Sequence, residues 1–492
     1  MNVVLGLDVG TTGARAVAVD ENGAVRGAAS ADYPLYSPRP GWTEQDPFDW
    51  WAGARAALRR VAADAPGPVA GLGLTGQMHG AVFLDAADEV IRPALLWNDQ
   101  RTAAQCDRIT ELVGPDRLVA LTGNPALTRF QAPKVLWLRD EEPEAYARLA
   151  HLLLPKDYVR LRLTGDRATD VSDASGTLLL DVRERRWAEP ILDALEIPAA
   201  WLPAVHEGPE PAGALLPSVA WDLGLPAGIP VAAGGGDNAA AAVGTGIVRA
   251  GLVSSSIGTS GVVFAHGDSF GPDPSGRVHA FCHAVPGRYH LMGVMLSAGG
   301  SLRWWRDVLG AGRSYGELCD AAASVPPGAE GLLFLPYLTG ERTPHLDPRA
   351  RGSFFGLNAR HGTAHLTRAL MEGVLFGLRD SLEIVRGLGV APTEVRATGG
   401  GARHPLWLEL QADVYGLPVV RTVADEGPAY GAALLAGVAA GMFADVTDAC
   451  TRIALRPEVV APHPARRALY EERYGLYREL YPATASIAHR LG

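Results

Sequence analysis

Short apolar runs that end in glycine-rich turns recur along the chain and predict buried strands. The first run, Val3–Leu7, leads through the turn Asp8–Gly13 into a second apolar run at Ala14–Val19. An apolar strand, a Gly/Thr turn and a second strand are the pattern of a β-hairpin. A further buried strand is predicted at Val69–Leu74, and it runs into the polar segment Gly76–Gly80.

The second half of the chain repeats this opening pattern. The apolar run Leu252–Ile257 leads through Gly258–Gly261 into Val262–Phe264, and this turn aligns with Gly10–Gly13. A unit repeated half a chain apart predicts an α/β fold of two similarly built domains with a cleft between them. Chance repetition remains the alternative, because Gly and Thr are common in hairpin turns.

A third glycine turn lies late in the chain. Glu394–Thr398 predicts a strand that runs into Gly399–Ala402, and apolar residues then recur at helical spacing at Leu406, Leu410 and Val414. A strand, a glycine turn and a helix are the parts of an α/β nucleotide site.

Other segments complete the outline. Helices are predicted around Gln100–Val113 and Ala145–Leu154, and Leu225–Pro230 resembles a linker. The Gly/Ala-rich stretch Gly431–Ala444 is too short to span a bilayer and predicts a buried helix.

Length and charge narrow the class of protein. The chain has 492 residues, more than one core usually organises, and this predicts two domains. The net charge is −10, lysine occurs only at Lys134 and Lys156, and there is no basic run of the kind that nucleic-acid binding requires. The start lacks the pattern of a secretory signal, and the four cysteines are scattered singly. We therefore expect a cytoplasmic protein that binds neither nucleic acid nor membrane.

The glycine turns are candidates for binding phosphate. Glycine lets backbone N–H groups approach phosphate oxygens closely, and hydroxyls of Thr and Ser can add to them. The candidate ATP-binding residues are Gly10, Thr11, Thr12, Arg15, Gly258, Thr259, Ser260, Gly400, Gly401 and Ala402. Neither hairpin turn contains a lysine, so a divalent metal must neutralise much of the charge, and Asp8 is placed to hold it through water. Each turn taken alone also fits a surface hairpin.

Asp237 is the strongest single candidate for a catalytic residue. It follows three glycines and precedes Asn238 and four alanines, a good start for a helix. Its carboxylate lies on bare backbone, where it can orient a sugar hydroxyl and accept its proton during phosphoryl transfer. The alternative is that Asp237 or Asn238 merely caps the helix.

The segment Gln77–His79 follows a strand end, where α/β sheets present groups to ligands. Gln77 and His79 can hydrogen-bond sugar hydroxyls and Met78 offers an apolar wall, although a lone histidine is more often structural. Asp99, with Trp42 and Trp97, is a weaker candidate for the same pocket, and Asn238 is counted with the substrate-binding residues. A literal GxGxxG at Gly71–Gly76 lies inside the predicted strand, which argues against a dinucleotide site.

These residues resemble the FGGY-type carbohydrate kinases over nearly the full length. Gly352–Leu357 and, seven residues later, His365–Glu372 match the C-terminal signature of that family. Lys134 matches the N-terminal signature, but Arg129 and Gln131 depart from it, so no role is assigned to Lys134. Within the family the chain is most similar to the kinases of D-xylulose, through segments at Gly76–Gly80, Leu96–Asp99, Leu154–Tyr158, Gly234–Ala240 and Gly340–His345.

The resemblance implies two actin-like, ribonuclease-H-like domains, over 1–245 and 250–445, followed by a helical tail over 446–492. It implies ATP-dependent phosphorylation of D-xylulose, with Asp237 as proton acceptor, Met78 and His79 contacting the sugar, and Asp8 supporting Mg²⁺. Related enzymes are often dimers, so a homodimer is possible. The alternatives are a related kinase of ribulose, gluconate, a deoxy-sugar or glycerol, or a non-catalytic actin-like protein that binds nucleotide.

Overall fold

The computed structural model describes residues 2–491, so Met1 and Gly492, at the ends of the predicted first domain and tail, lie outside it. Its strands are β1 (Val3–Val9), β2 (Gly13–Asp20), β3 (Val25–Asp32), β4 (Glu44–Gln45), β5 (Val69–Gly76), β6 (Val82–Leu84), β7 (Ala94–Leu95), β8 (His151–Leu153), β9 (Ala168–Asp170), β10 (Leu180–Asp181), β11 (Arg186–Trp187), β12 (Ala204–His206), β13 (Pro211–Ala214), β14 (Pro230–Gly236), β15 (Leu252–Ile257), β16 (Gly261–Gly267), β17 (His279–Cys282), β18 (Tyr289–Met295), β19 (Leu333–Leu335), β20 (Ser353–Phe355), β21 (Glu394–Gly399) and β22 (Val419–Val420).

The helices complete two α/β units. They are α1 (Pro47–Ala63), α2 (Ala103–Val113), α3 (Pro115–Thr122), α4 (Gln131–Glu141), α5 (Pro143–Tyr146), α6 (Pro155–Thr164), α7 (Val171–Ser175), α8 (Glu189–Leu195), α9 (Pro217–Leu223), α10 (Asp237–Gly244), α11 (Gly299–Leu309), α12 (Tyr315–Ala323), α13 (Thr363–Gly387), α14 (Pro405–Tyr415), α15 (Gly427–Ala439), α16 (Val446–Cys450) and α17 (Pro464–Ala488). No helix within residues 2–491 is both long and apolar enough to cross a membrane.

Two six-stranded sheets share the same arrangement of five strands, and the sixth strand lies at opposite edges, with β13 beside β14 and β17 beside β18. The first has the order β13-β14-β5-β1-β2-β3 and the second β17-β18-β16-β15-β21-β22. In both, a hairpin (β1–β2 or β15–β16) continues into a third antiparallel strand on one side and two parallel strands on the other. The predicted hairpins and the predicted repeat are therefore confirmed as equivalent sheets.

Helix α15 packs against the first sheet although it comes late in the chain. A Cβ at Gly73 on β5 would lie 2.0 Å from the carbonyl oxygen of Ala432, and one at Gly431 would lie 1.8 Å from that of Ala240. These distances are shorter than any real Cβ contact, so the glycines allow α15 to lie directly on β5 and α10. Gly71 and Gly73 of the literal GxGxxG match thus serve helix packing, and Gly427–Ala439 is the buried helix that its composition predicts.

Two local predictions are wrong. The predicted helix Ala145–Leu154 is helical only at its first two residues, where α5 ends. His151–Leu153 is instead a strand that pairs antiparallel with Val82–Leu84. The short apolar run satisfies its backbone groups in a sheet because a partner strand lies beside it. Leu225–Pro230 is no linker between domains but a tight loop between α9 and β14, closed by backbone hydrogen bonds between Leu215 and this loop.

Candidate active site

Three parallel strands of the first sheet bring the candidate residues to one edge. β5 lies between β1 and β14, and both Val9 and Gly236 pair in register with Gly76. Asp8 therefore lies at the end of β1, and Asp237 directly follows β14. Gln77 directly follows β5 between them, so the carboxyl ends of these strands gather residues from three distant parts of the chain.

The carboxylate of Asp237 is not used as a helix cap. Gly236 holds the capping position of α10, and Asp237 begins the helix. Its Oδ1 accepts hydrogen bonds from the backbone N–H of Asn238 at 2.7 Å and from Asn238 Nδ2 at 2.9 Å. Burial raises the pKa of Asp237 to about 6, and these hydrogen bonds oppose the rise. The carboxylate is therefore ionised at neutral pH, with a proton affinity suited to a general base.

Asp8 faces the same edge with an unsatisfied oxygen. Its Oδ1 is buried and has no hydrogen-bond partner. Burial, followed by the charge of Asp237, raises the pKa of Asp8 to about 7, while Arg15 lowers it. An orphaned carboxylate oxygen beside a second carboxylate is a favourable environment for a cation.

His79 adopts a left-handed backbone conformation, with φ of 71°. Its Nδ1 is 2.8 Å from the carbonyl oxygen of Gly176, which can only accept, so Nδ1 carries the proton and Nε2 is left as an acceptor. Burial lowers the pKa of His79 well below its ordinary value, and the ring is neutral. A neutral histidine held in this way presents one acceptor of fixed direction.

Lys134 supports this conformation. Its Nζ donates to the carbonyl oxygen of His79 at 2.8 Å and also to that of Arg129. The side chain is fully buried, and burial lowers the pKa of Lys134 to about 7. The sequence analysis assigned no role to Lys134. The available signals were its match to the N-terminal family signature and its being one of only two lysines in the chain.

Met78 packs against the glycine backbone beside Asp237. A Cβ at Gly236 would lie 2.9 Å from its side chain, and one at Gly176 would lie 3.0 Å from its Cε. Met78 is buried between these two glycines. Its thioether therefore lies directly against the residue that precedes Asp237.

Gln77 is tied into the first turn. Its Oε1 accepts from the hydroxyl of Thr11 at 3.1 Å, and its Nε2 donates to Gln45 at 2.9 Å. The indole Nε1 of Trp97 also donates to the Thr11 hydroxyl, at 3.0 Å. Gln77 thus links the first turn to the end of β5 through its side chain.

Asp99 is occupied by protein partners. Its Oδ2 accepts from the backbone N–H of Thr43 at 2.7 Å, and both of its oxygens accept from Arg101. The guanidinium of Arg101 lies 3.7 Å from the ring centroid of Trp42. Asp99, Arg101 and Trp42 form one stacked, ion-paired unit beside the site.

The turns of the second sheet line a cleft of about 410 Å³. Ile257 pairs with Gly399 in the parallel register, which brings the second hairpin turn beside the third glycine turn. Both turns contribute to the lining, which is formed by Ile257, Gly258, Thr259, Gly299, Leu302, Arg303, Tyr315, Gly316, Cys319, Gly400, Gly401, Arg403, His404 and Trp407. Of the candidate ATP-binding residues in this half, Ser260 and Ala402 do not line it. Its size and mixed lining suit a small organic ligand.

A second cleft of about 310 Å³ lies between the two sheets. Its lining includes Asp237 and Asn238 from the first half and Thr398, Gly399 and Gly427 from the second. Gly399 and Gly400 lie between the two clefts, so a ligand seated against the second hairpin turn can extend toward Asp237.

Arg15 pairs with a residue from the late part of the chain. Its guanidinium forms an ion pair with Glu426, the residue before α15. The side chain of Arg15 is 43% exposed. This places Arg15 beside Asp8, with which it pairs in register on the hairpin, and ties the first turn to the late part of the chain.

Arg342 is a further residue that the sequence analysis did not single out. Its Nη1 is buried and has no hydrogen-bond partner, and burial lowers the pKa of Arg342 to about 9. Its charge contributes to the lowered pKa of His79. Arg342 therefore brings a positive charge from the second half of the chain close enough to act on His79.

Comparison with known proteins agrees with this architecture. Residues 3–244 match the N-terminal domain of the FGGY family of carbohydrate kinases, and residues 253–440 match its C-terminal domain. The chain is 43% identical to the xylulose kinase of Escherichia coli over 479 residues, covering 97% of this chain and 98% of that protein.

Solved structures extend the comparison to the whole fold. A xylulose kinase from Rhodospirillum rubrum superposes with a TM-score of 0.93 at 31% identity, covering 99% of this chain and all of the other. A gluconate kinase from Lactobacillus acidophilus superposes with a TM-score of 0.95 at 27% identity, with full coverage of both chains. The chain belongs to the FGGY family of carbohydrate kinases.

Proposed function

We propose that this kinase transfers the γ-phosphoryl group of ATP to D-xylulose and forms D-xylulose 5-phosphate. The observation that carries the proposal is the meeting of Asp8, Gln77–His79 and Asp237 at one sheet edge. The choice of sugar is supported by relatives named xylulose kinase that match along nearly the whole chain.

Asp237 acts as the general base in this proposal. Asn238 holds one carboxylate oxygen, and Asp237 lines the cleft shared by the two halves. A sugar hydroxyl is a weak nucleophile, and a positioned carboxylate orients it and accepts its proton as the phosphoryl group transfers. The loss of that hydroxyl proton to Asp237 accompanies formation of the new P–O bond and departure of ADP.

His79, Met78 and Asn238 are the proposed sugar contacts. The Nε2 acceptor of His79 fits a hydroxyl donor, and Met78 excludes water from the side facing Gly236. Gln77 and Asp99 support the pocket indirectly, since their polar atoms are engaged by Thr11, Gln45, Thr43 and Arg101.

The nucleotide would lie in the cleft between the second hairpin turn and the third glycine turn. Its phosphates would pass Gly399–Gly401 toward Asp237, where the first turn (Gly10, Thr11, Thr12) approaches from the opposite half. Arg15 would contribute positive charge on this side if its guanidinium left Glu426 and paired with a phosphate.

Asp8 is the proposed support for Mg²⁺. Its buried Oδ1 lacks a partner, and its raised pKa supports a nearby cation. Within residues 2–491 no three His, Cys, Asp or Glu side chains cluster as a metal site, so phosphate oxygens would complete the coordination. When bound, Mg²⁺ neutralises charge on the triphosphate.

A second candidate substrate is a sugar acid such as gluconate. The unpartnered guanidinium of Arg342 near His79 favours it, because a carboxylate is the natural partner of a buried arginine. A xylulose kinase and a gluconate kinase from Lactobacillus acidophilus match this chain with the same TM-score and identity, so that comparison favours neither sugar.

One experiment separates these substrates. The purified enzyme is given ATP, Mg²⁺ and, in turn, D-xylulose, D-ribulose, gluconate and glycerol, and ADP formation is measured. We expect kcat/KM to be at least about tenfold higher for D-xylulose, because unpaired polar groups in the pocket penalise the wrong sugar. A higher value for gluconate would assign Arg342 to a substrate carboxylate and overturn the proposed sugar.

A further inference from the structure

The backbone that carries Asp237 has no side chains of its own to hold it. Gly234, Gly235 and Gly236 precede the base, and the segment Asp170–Gly176 lies beneath them. A Cβ at Gly235 would lie 3.3 Å from the hydroxyl of Ser172. The orientation of Asp237 therefore depends on what binds this glycine backbone.

Ser172 makes that contact. Its hydroxyl accepts a hydrogen bond from the backbone N–H of Gly236 at 3.1 Å and donates to Asp170 Oδ2 at 2.5 Å. The same Asp170 oxygen accepts from the backbone N–H of Ser172 at 2.7 Å and so caps helix α7. Ser172 is fully buried, and its hydroxyl both accepts from and donates to protein atoms.

Lys156 anchors this arrangement from below. Its Nζ lies 2.9 Å from Asp170 Oδ1, 2.6 Å from Asp157 Oδ1 and 3.3 Å from Asp173 Oδ2, and all four side chains are fully buried. The charge of Lys156 fixes the Asp170 carboxylate, which orients the Ser172 hydroxyl, which in turn holds Gly236. A buried charge that lost its partner would be strongly destabilised, so this chain of contacts has one favoured geometry.

We propose that Ser172 is a positioning residue for Asp237, acting through the backbone N–H of Gly236 and held in place by Asp170 and Lys156. A displacement of about 1 Å at a reacting group can cost about a hundredfold in rate. The pairing of β14 with β5 holds part of this glycine backbone, and the Ser172 bond to Gly236 adds rigidity at the residue before the base. The inference rests on the proposed role of Asp237 as base.

The chain offers a matched control in Ser175. Its hydroxyl accepts from the backbone N–H of Cys282 at 3.1 Å and donates to the carbonyl oxygen of Val171 at 2.7 Å. Ser175 lies in the same helix and is also buried, but its hydroxyl bonds to Val171 and Cys282 and not to Gly236. A general loss of packing in this segment would affect both serines alike.

The test compares Ser172→Ala with Ser175→Ala in steady-state kinetics and thermal unfolding. We expect Ser172→Ala to lower kcat about tenfold or more with KM for ATP within about twofold of wild type, and Ser175→Ala to keep wild-type kcat at a similar Tm. Ser172→Cys, which keeps the size but weakens the hydrogen bonds, should also lower kcat and serves if the alanine variant fails to fold. A kcat for Ser172→Ala or Ser172→Cys within about twofold of wild type, or an equal loss in Ser175→Ala, would overturn the proposal.

The comparison does not depend on the sugar chosen. The ratio of variant to wild-type kcat is measured with whichever sugar of the panel the wild type phosphorylates best. A wild type that prefers another sugar contradicts the proposed substrate but leaves this ratio interpretable. A ratio of variant to wild-type kcat near one with D-xylulose contradicts only the positioning role of Ser172.

Discussion

Asp8 and Asp237 follow two strands that flank the same central strand, and the charge of Asp237 helps to raise the pKa of Asp8 to about 7. The two carboxylates therefore titrate differently: Asp237 ionises first, and its charge keeps the proton on Asp8. This order suits one carboxylate to proton transfer and the other to a cation.

The first prediction concerns Asp237. Asp237→Asn keeps the shape of the side chain but cannot accept the proton, so kcat should fall by about a hundredfold or more. In the wild type, kcat should fall as pH drops below about 6, because the base becomes protonated. Steady-state kinetics checks both, with circular dichroism and calorimetric sugar binding as controls of folding. Near-wild-type turnover in the folded variant would contradict the role as base.

The second prediction concerns Asp8 and magnesium. Protons compete with the cation for Asp8, so the Mg²⁺ concentration for half-maximal activity should rise as pH falls from 8 to 6. Asp8→Asn should cut activity strongly and remove this pH dependence. Magnesium titrations at several pH values measure the effect. An identical titration in wild type and variant would show that Asp8 merely ends a strand.

The third prediction concerns Asp173, which lies beside Lys156. Burial raises the pKa of Asp173 well above its ordinary value, and the charge of Asp237 adds to the rise. The raised pKa favours the protonated acid, and Asp173→Asn, which mimics that acid, should keep kcat within about threefold of wild type. A loss greater than about tenfold in the folded variant would show that the proton of Asp173 takes part in turnover.

The fourth prediction concerns the buried histidines of the second sheet. His290 stacks on Phe264 at 4.2 Å near His266, His279 and His283, and burial lowers the pKa of His290 to about 3. Its folded pKa lies below its unfolded value of about 6.5, so its stabilisation is present above pH 6.5 and is lost as pH falls toward 3.

His290→Phe keeps the stack and removes the titration. Urea unfolding measures the free energy of unfolding at pH 7 and at pH 5 for both proteins. The decrease from pH 7 to pH 5 should be about 2 kcal/mol smaller in the variant than in the wild type. Trp221→Phe, at a position that is 87% exposed, serves as the control and should keep the wild-type difference. Equal pH dependence in the wild type and His290→Phe would contradict the depressed pKa.

The fifth prediction is closure of the two proposed domains, 1–245 and 250–445. An open cleft would let water compete with the sugar hydroxyl for activation by Asp237, and closure excludes that water. Small-angle scattering should give a smaller radius of gyration with D-xylulose and a non-hydrolysable ATP analogue than without ligands. An unchanged radius at saturation would contradict closure but not the kinase assignment.

The sequence by itself determined the local elements and the family. Both hairpins, the strand–turn–helix at Glu394–Tyr415 and the helix after Asp237 follow from apolar runs and glycine turns, because these preferences act between neighbours in the chain. The signatures that include Gly352–Leu357 and His365–Glu372 indicated the carbohydrate kinases, and the family matches confirm this.

Only the tertiary structure decided which polar groups remain available at the site. Gln77 and Asp99 are engaged by protein partners, whereas Arg342 has a buried atom without one. The pairing of Val9 and Gly236 with Gly76, and the bond from Gly236 to Ser172, join segments far apart in the chain. No local pattern encodes such pairings, because register and hydrogen-bond satisfaction depend on which strand lies alongside in the folded molecule.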